Sequence, residues 1–219
     1  MNSRRGGVLA ALILLAAATA QAQNPSTQAP KGGVAQAPKG GAAKSPPVDS
    51  LAILEKAYAR DSSRYDTALS LGNMYLDRDR PKESFRFFEQ AIKLKPNDAR
   101  AWVNLGAAFD AAGSTAAAQE RYHKALELAP GDPVANCRLA SSLYASGKHT
   151  DAISLLREVI RDHPRSHCAF FTMGVAFADA GIYREAIRMW RKVIEIAPDS
   201  PEAVSARESI EVLEKFVGI

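Results

Sequence analysis

No stretch of this 219-residue chain supplies the ~20 consecutive apolar residues that a membrane-crossing helix needs; the run from Val8 to Ala18 is too short. Catalytic signatures are absent as well. There is no glycine-rich phosphate loop, no G-x-S-x-G and no H-E-x-x-H, so nucleotide-binding enzymes, serine hydrolases and zinc proteases lack their marks. With four histidines and two cysteines, metal ligands are scarce. His163, His167 and Cys168 alone approach ligand spacing, and Pro164 breaks the helix that would put the two histidines on one face. No cofactor and no enzymatic activity are expected. A basic nucleic-acid footprint is missing too, despite 28 basic against 24 acidic residues and a formal charge of +4. Arg4, Arg5, Lys31, Lys39 and Lys44 all precede the regular part of the chain, which without them is close to neutral.

What is present is a period. Pro96, Pro130, Pro164 and Pro198 stand 34 residues apart, and the chain matches itself column by column on that frame. One column reads Leu71-Gly72, Leu105-Gly106, Leu139-Ala140 and Met173-Gly174. A bulky one follows (Tyr75, Phe109, Leu143, Phe177), then a small one (Ser84, Ala118, Ala152, Ala186). A large column (Phe88, Tyr122, Leu156, Trp190) precedes a final short one (Ala91, Ala125, Val159, Val193). Within each unit, apolar residues recur three and four apart over two stretches, as in Ala101–Ala112 and Thr115–Leu128, which predicts two amphipathic helices. Gly113, Gly147 and Gly181 fall between them, where the turn needs positive φ. The first unit carries Asp79-Arg80 there, and Pro81 opens its second helix.

These columns follow W-x2-L-G-x2-Y…A-x3-F…P and resemble the tetratricopeptide repeat (TPR) of secreted or periplasmic bacterial proteins. The resemblance implies an all-α, right-handed α-solenoid of helix-turn-helix units with a flanking helix at each end. The frame assigns TPR 1 to residues 65–98, TPR 2 to 99–132, TPR 3 to 133–166 and TPR 4 to 167–200. Residues 49–64 hold an N-terminal flanking helix, whose Leu54 and Ala57 fall in the columns of Phe88 and Ala91. Residues 201–219 form a capping helix with Ala203, Ala206, Ile210, Leu213 and Val217 along one stripe and a charged outer face.

Upstream, residues 1–22 have the form of a signal peptide: Arg4-Arg5, the apolar run, then Ala20-Gln21-Ala22 as a small-x-small cleavage site. Export to the periplasm or medium is expected, with no membrane span left after cleavage. Residues 23–48 contain an octad written twice, Gln28–Ala35 and Gln36–Ala43, too poor in bulky apolar groups to fold, and read as a disordered Ala/Pro/Gly/Lys tether.

In TPR proteins the first helices line a concave groove, so the resemblance implies a protein or peptide partner held there. Counting within each first helix gives groove positions that include Leu69, Asn73, Arg100, Val103, Ala107, Asp110, Tyr144, Phe171, Val175 and Asp179. Val103, Tyr144, Phe171 and Val175 are apolar where a solvated face would be polar, and Asp66, Asp77, Asp110 and Asp179 edge them. That mixture suits an apolar, partly basic segment. The lysines used by TPR subtypes that grip acidic tails are replaced by Leu69 and Val134, so that specificity does not carry over. An envelope or secretion assembly role is what the resemblance suggests; docking through an end or the convex face is the alternative, and no oligomeric state follows. Cys137 and Cys168 lie on adjacent first helices, and a disulfide between them requires those helices to converge below ~7 Å between Cα atoms.

Overall fold

The computed structural model describes residues 50–218, so the signal-peptide and tether expectations lie outside the described residues. Ten α-helices and no strands are found among the described residues. They are α1 (Ser50–Arg60), α2 (Tyr65–Asp77), α3 (Pro81–Leu94), α4 (Ala99–Ala111), α5 (Thr115–Leu128), α6 (Pro133–Ala145), α7 (His149–Asp162), α8 (His167–Asp179), α9 (Tyr183–Ile196) and α10 (Pro201–Val217). Each helix packs on the next in the chain, and first helices of adjacent repeats also touch, which gives the right-handed solenoid of helix pairs.

The pairs are locked by one steric match. Phe88, Tyr122, Leu156 and Trp190, on the second helices, are all essentially fully buried. Opposite them lie Gly72, Gly106, Ala140 and Gly174. A Cβ added at Gly72, Gly106 or Gly174 would run into Phe88, Tyr122 or Trp190 respectively, so the ring occupies the space a side chain would need. The third repeat changes both partners: Leu156 is smaller than an aromatic ring, and Ala140 fits beside it. The same column reaches Glu208 in α10, which is exposed. The exposed face of α10 mixes charged residues with Val204, Val212, Phe216 and Val217, the last of which the stripe pattern of the sequence places with the apolar residues.

The turns repeat with equal regularity. Gly113, Gly147 and Gly181 have φ of 78°, 82° and 76°. In the first repeat the column is filled by Asp79 at φ 56°, one of the few residue types that tolerates this region. In all four units the turn closes with the hydrogen-bond pair of a Schellman motif, as in Gly113 N–H to Asp110 C=O at 2.9 Å and Ser114 N–H to Phe109 C=O at 2.8 Å. At the other end of each unit, the residue before the 34-spaced proline (Lys95, Ala129, His163, Ala197) leaves the helix for φ near −140° and ψ near 75°. Proline disfavours helical geometry in its predecessor, which fixes the exit. Asp98, Asp132 and Ser200 then cap the next helices through their side chains.

At the front, α1 lays Leu51, Leu54 and Tyr58 against Leu71, Tyr75 and Phe87. Tyr58 meets Phe87 edge-on at 5.2 Å between ring centroids, and the Tyr75 hydroxyl donates to Glu55.

The two tryptophans divide. Both fall in large positions of the repeat pattern, which predicts core packing for each. Trp190 is fully buried between α8 and α10, whereas Trp102 is only half-buried and donates its indole N–H to the Pro96 carbonyl at 3.0 Å. Trp190→Ala is therefore expected to cost ~3–5 kcal/mol, and Trp102→Ala clearly less, in urea unfolding followed by circular dichroism. Equal losses would contradict the assigned packing.

Candidate docking site on the concave face

On the face lined by first helices, residues 31 apart in sequence are neighbours, because one repeat forward and one near-turn back brings side chains of adjacent first helices together. Asn104 Nδ2 donates to Asn73 Oδ1 at 3.1 Å across α2 and α4. The hydroxyls of Ser141 and Thr172 lie 3.1 Å apart across α6 and α8. Cys137 and Cys168 share the same offset and are joined by a disulfide with Cα atoms 6.2 Å apart. Here the adjacent first helices do converge enough for the bridge.

At the middle step the residues at this offset are Ala107 and Arg138. A cavity of about 270 Å³ opens there. Its walls come from α4 (Ala107, Asp110, Ala111), α6 (Arg138, Ser141, Ser142, Tyr144, Ala145) and α8 (Phe171, Thr172, Val175), with Thr115 and Tyr122 contributed by α5. Mostly apolar walls with a few fixed polar groups are the usual make-up of a ligand pocket.

Asp110 is the main acidic group of this cavity. Its carboxylate accepts hydrogen bonds from the Tyr122 hydroxyl at 2.9 Å and the Ser142 hydroxyl at 3.0 Å. Burial raises its pKa; the two donors and the charge of Arg138 oppose that effect without cancelling it. Burial also raises the pKa of Asp77. The Tyr144 hydroxyl donates to Asp179 at 2.9 Å, and burial together with that bond pushes the Tyr144 phenol above its usual range.

Of the residues expected in the groove, Ala107, Asp110, Tyr144, Phe171 and Val175 line this cavity. Their exposure corrects the expectation of a broad apolar surface. Val103 and Tyr144 are 7% exposed, covered by the following repeat, while Val175 at 3% and Phe171 at 1% pack against the second helix of their own repeat and α10. Phe171 belongs to the core around Trp190, whose indole N–H donates to the Phe171 carbonyl. Leu69 packs within the first two repeats and Asn73 is engaged by Asn104. Arg100 bonds Asp98, at 2.7 Å from Nη2 to Oδ2, and helps hold that capping carboxylate down to about 2. Asp179 is exposed at the edge. Ser142 and Thr172 went unnoticed in the sequence; the offsets of 31 and 32 that connect them to neighbours were the available signal.

His163, His167 and Cys168 are drawn to three separate partners: the Gly131 carbonyl at 3.0 Å, Glu202 at 3.7 Å and Cys137 respectively. Among the described residues no group of three or more histidine, cysteine, aspartate or glutamate side chains is placed to hold a metal ion, and no helix is long and apolar enough to cross a membrane.

A solenoid of helix pairs with a pocket on the concave side defines a repeat scaffold. The chain belongs to the tetratricopeptide-repeat family: residues 88–204 match the cytochrome c-type biogenesis protein H TPR domain, and residues 66–95 match the tetratricopeptide repeat. Among solved structures it is similar to MamA, at 24% identity over 67% of this chain and 85% of that one, with a TM-score of 0.54. It is also similar to MamA 41-end from Desulfovibrio magneticus RS-1, at 18% identity over 70% and 85% of the two chains, with a TM-score of 0.50. These likenesses are of fold. No curated protein matches the chain.

The raised pKa of Asp110 has a definite thermodynamic sign. The folded protein holds that proton more tightly than the unfolded chain, so the contribution is fully present below the ordinary value of 3.8 and is lost as pH rises through the folded value. Relative to Asp110→Asn, the wild type should lose stability from pH 3 toward neutrality, measured by urea unfolding at each pH. A flat difference, or one of opposite slope, would show that the carboxyl is not desolvated.

Proposed function

We propose that the protein is a non-catalytic scaffold that docks a peptide or helix of a protein partner on its concave face, with one bulky apolar side chain seated in the cavity between the second and third repeats. The observation that carries this reading is the cavity itself, lined by Ala107, Tyr144, Phe171 and Val175 and with a volume suited to a single side chain. Asp179 on α8, with Asp66 and Asp77 further along the face on α2, favours basic residues flanking the anchor, through association rate more than through final affinity. The arginines of the second helices do not compete for this role, since Arg188 pairs with Glu185 at 2.5 Å and Arg191 with Glu214 at 2.9 Å.

The setting belongs to the same proposal. The leader-like residues 1–22 support an exported, periplasmic or secreted protein, and the matched family's description, cytochrome c-type biogenesis, supports work in the assembly of a larger complex. A second reading, docking through an end of the stack, draws on Val212 and Phe216, which are 46% and 56% exposed on α10.

A random peptide library selected against the full chain tests these readings. Selected peptides should carry a bulky apolar residue beside lysine or arginine. Ala107→Trp, which fills the cavity, should weaken them at least tenfold in Kd without lowering Tm. Arg188→Ala/Arg191→Ala should leave Kd unchanged. Peptides insensitive to Ala107→Trp but lost on Phe216→Ala would establish the end-docking reading instead.

A further inference from the structure

The Cys137–Cys168 bridge ties α6 to α8 and so staples the third repeat to the fourth. Of the seams between consecutive repeats, the one between α7 and α8 is the most thinly packed. The covalent link thus spans the same pair of repeats, joining their first helices where these come close together. Its two sulfurs are not equivalent. Cys137 is 3% exposed and lies in the core cluster with Leu156 and Met173. Cys168 is only half-buried, in the first turn of α8, in a column whose counterparts Asp66, Arg100 and Val134 are exposed. A third group completes the arrangement. The Ser166 hydroxyl lies 3.2 Å from Cys168 Sγ and 3.6 Å from Cys137 Sγ, and its side chain caps no helix.

We propose that this bridge is a thiol–disulfide exchange site opened by a dithiol that attacks Cys168, and that its state governs how firmly the fourth repeat is held on the third. A thiolate of the dithiol forms a bond to Cys168 Sγ while the Cys168–Cys137 bond breaks, and the electron pair departs on Cys137 Sγ. Ser166 donates a hydrogen bond to that leaving sulfur, which then takes a proton from water. The second sulfur of the dithiol, once deprotonated, attacks its partner sulfur in the mixed disulfide and releases Cys168, which is protonated in turn. The bridge gains two electrons and two protons, and the dithiol leaves as a disulfide. The direction follows from access, since a buried sulfur cannot be reached by an incoming thiolate; burial makes Cys137 the poorer leaving group, a cost that the Ser166 hydrogen bond offsets in part. Opening the bridge also reaches the cavity, because Arg138, Ser141 and Ser142 ride on α6 and Phe171, Thr172 and Val175 on α8. The inference does not depend on what the cavity binds.

Dithiothreitol serves as the test dithiol on the full chain. Reduction should release two alkylatable thiols and speed backbone hydrogen exchange at least tenfold in α8 to α10, while α2 to α4 stay unchanged. The Cys137→Ser/Cys168→Ser variant should exchange like reduced wild type and ignore the reagent. Trapping with glutathione should place the mixed disulfide on Cys168, as mapped by peptide mass, and Ser166→Ala should slow reduction several-fold without altering exchange in the oxidised protein. Mixed disulfide on Cys137, or in equal amounts on both, would overturn the direction of attack. Exchange that stayed the same on reduction, or rose uniformly along all repeats, would overturn the staple.

Discussion

The close approach of the two helices within each repeat is the constraint on which the rest of this structure depends. It requires a residue without a side chain, or nearly so, at one place on the first helix, and a large side chain filling the vacancy from the second. Gly72 with Phe88, Gly106 with Tyr122 and Gly174 with Trp190 satisfy it with aromatic residues, and Ala140 with Leu156 satisfies it with a smaller pair. Dispersion contacts made at that distance are individually weak and collectively large, and they hold only while the fit is kept. In α10 the same column holds Glu208, which is exposed.

From that packing follows the spacing of the concave face. Because adjacent first helices are held at nearly constant separation, an offset of 31 residues becomes a contact, and each step along the groove is decided by which two residues meet there. Two asparagines, a serine and a threonine, and two cysteines close three of these meetings. The step at Ala107 and Arg138 lies in the wall of the cavity. Asp110 is desolvated in its wall yet supplied with two hydroxyl donors, so a carboxylate is held where water is largely excluded. A site of this kind offers a mostly apolar shape with a few fixed polar contacts.

The disulfide adds a different sort of restraint to the same face. Packing holds the other two seams between repeats more closely, while at the α7–α8 seam the covalent link between α6 and α8 adds to the packing. A repeat protein is only as rigid as its nearest-neighbour interfaces, so strengthening the weakest one has consequences for every repeat beyond it.

Much of this was legible in the residues themselves. The 34-residue period, the helix pairs, their glycine turns and the proline exits follow from local rules of backbone geometry, which act over a few residues and leave their mark in order. Asp79 at positive φ shows the limit of such marks, because its position in the glycine column, rather than its identity, revealed the turn. What the sequence could not decide was which apolar residues of the first helices face solvent. Tyr144, Phe171 and Val175 have the pattern of a groove surface, but the fourth repeat covers Tyr144, and Phe171 and Val175 pack into the core with Trp190 and the capping helix. Nor could it decide that Ala107 would line a cavity or that Cys137 and Cys168 would come within bonding distance. Those outcomes depend on the rise and rotation from one repeat to the next, which arise from many side chains packed together rather than from any segment read alone.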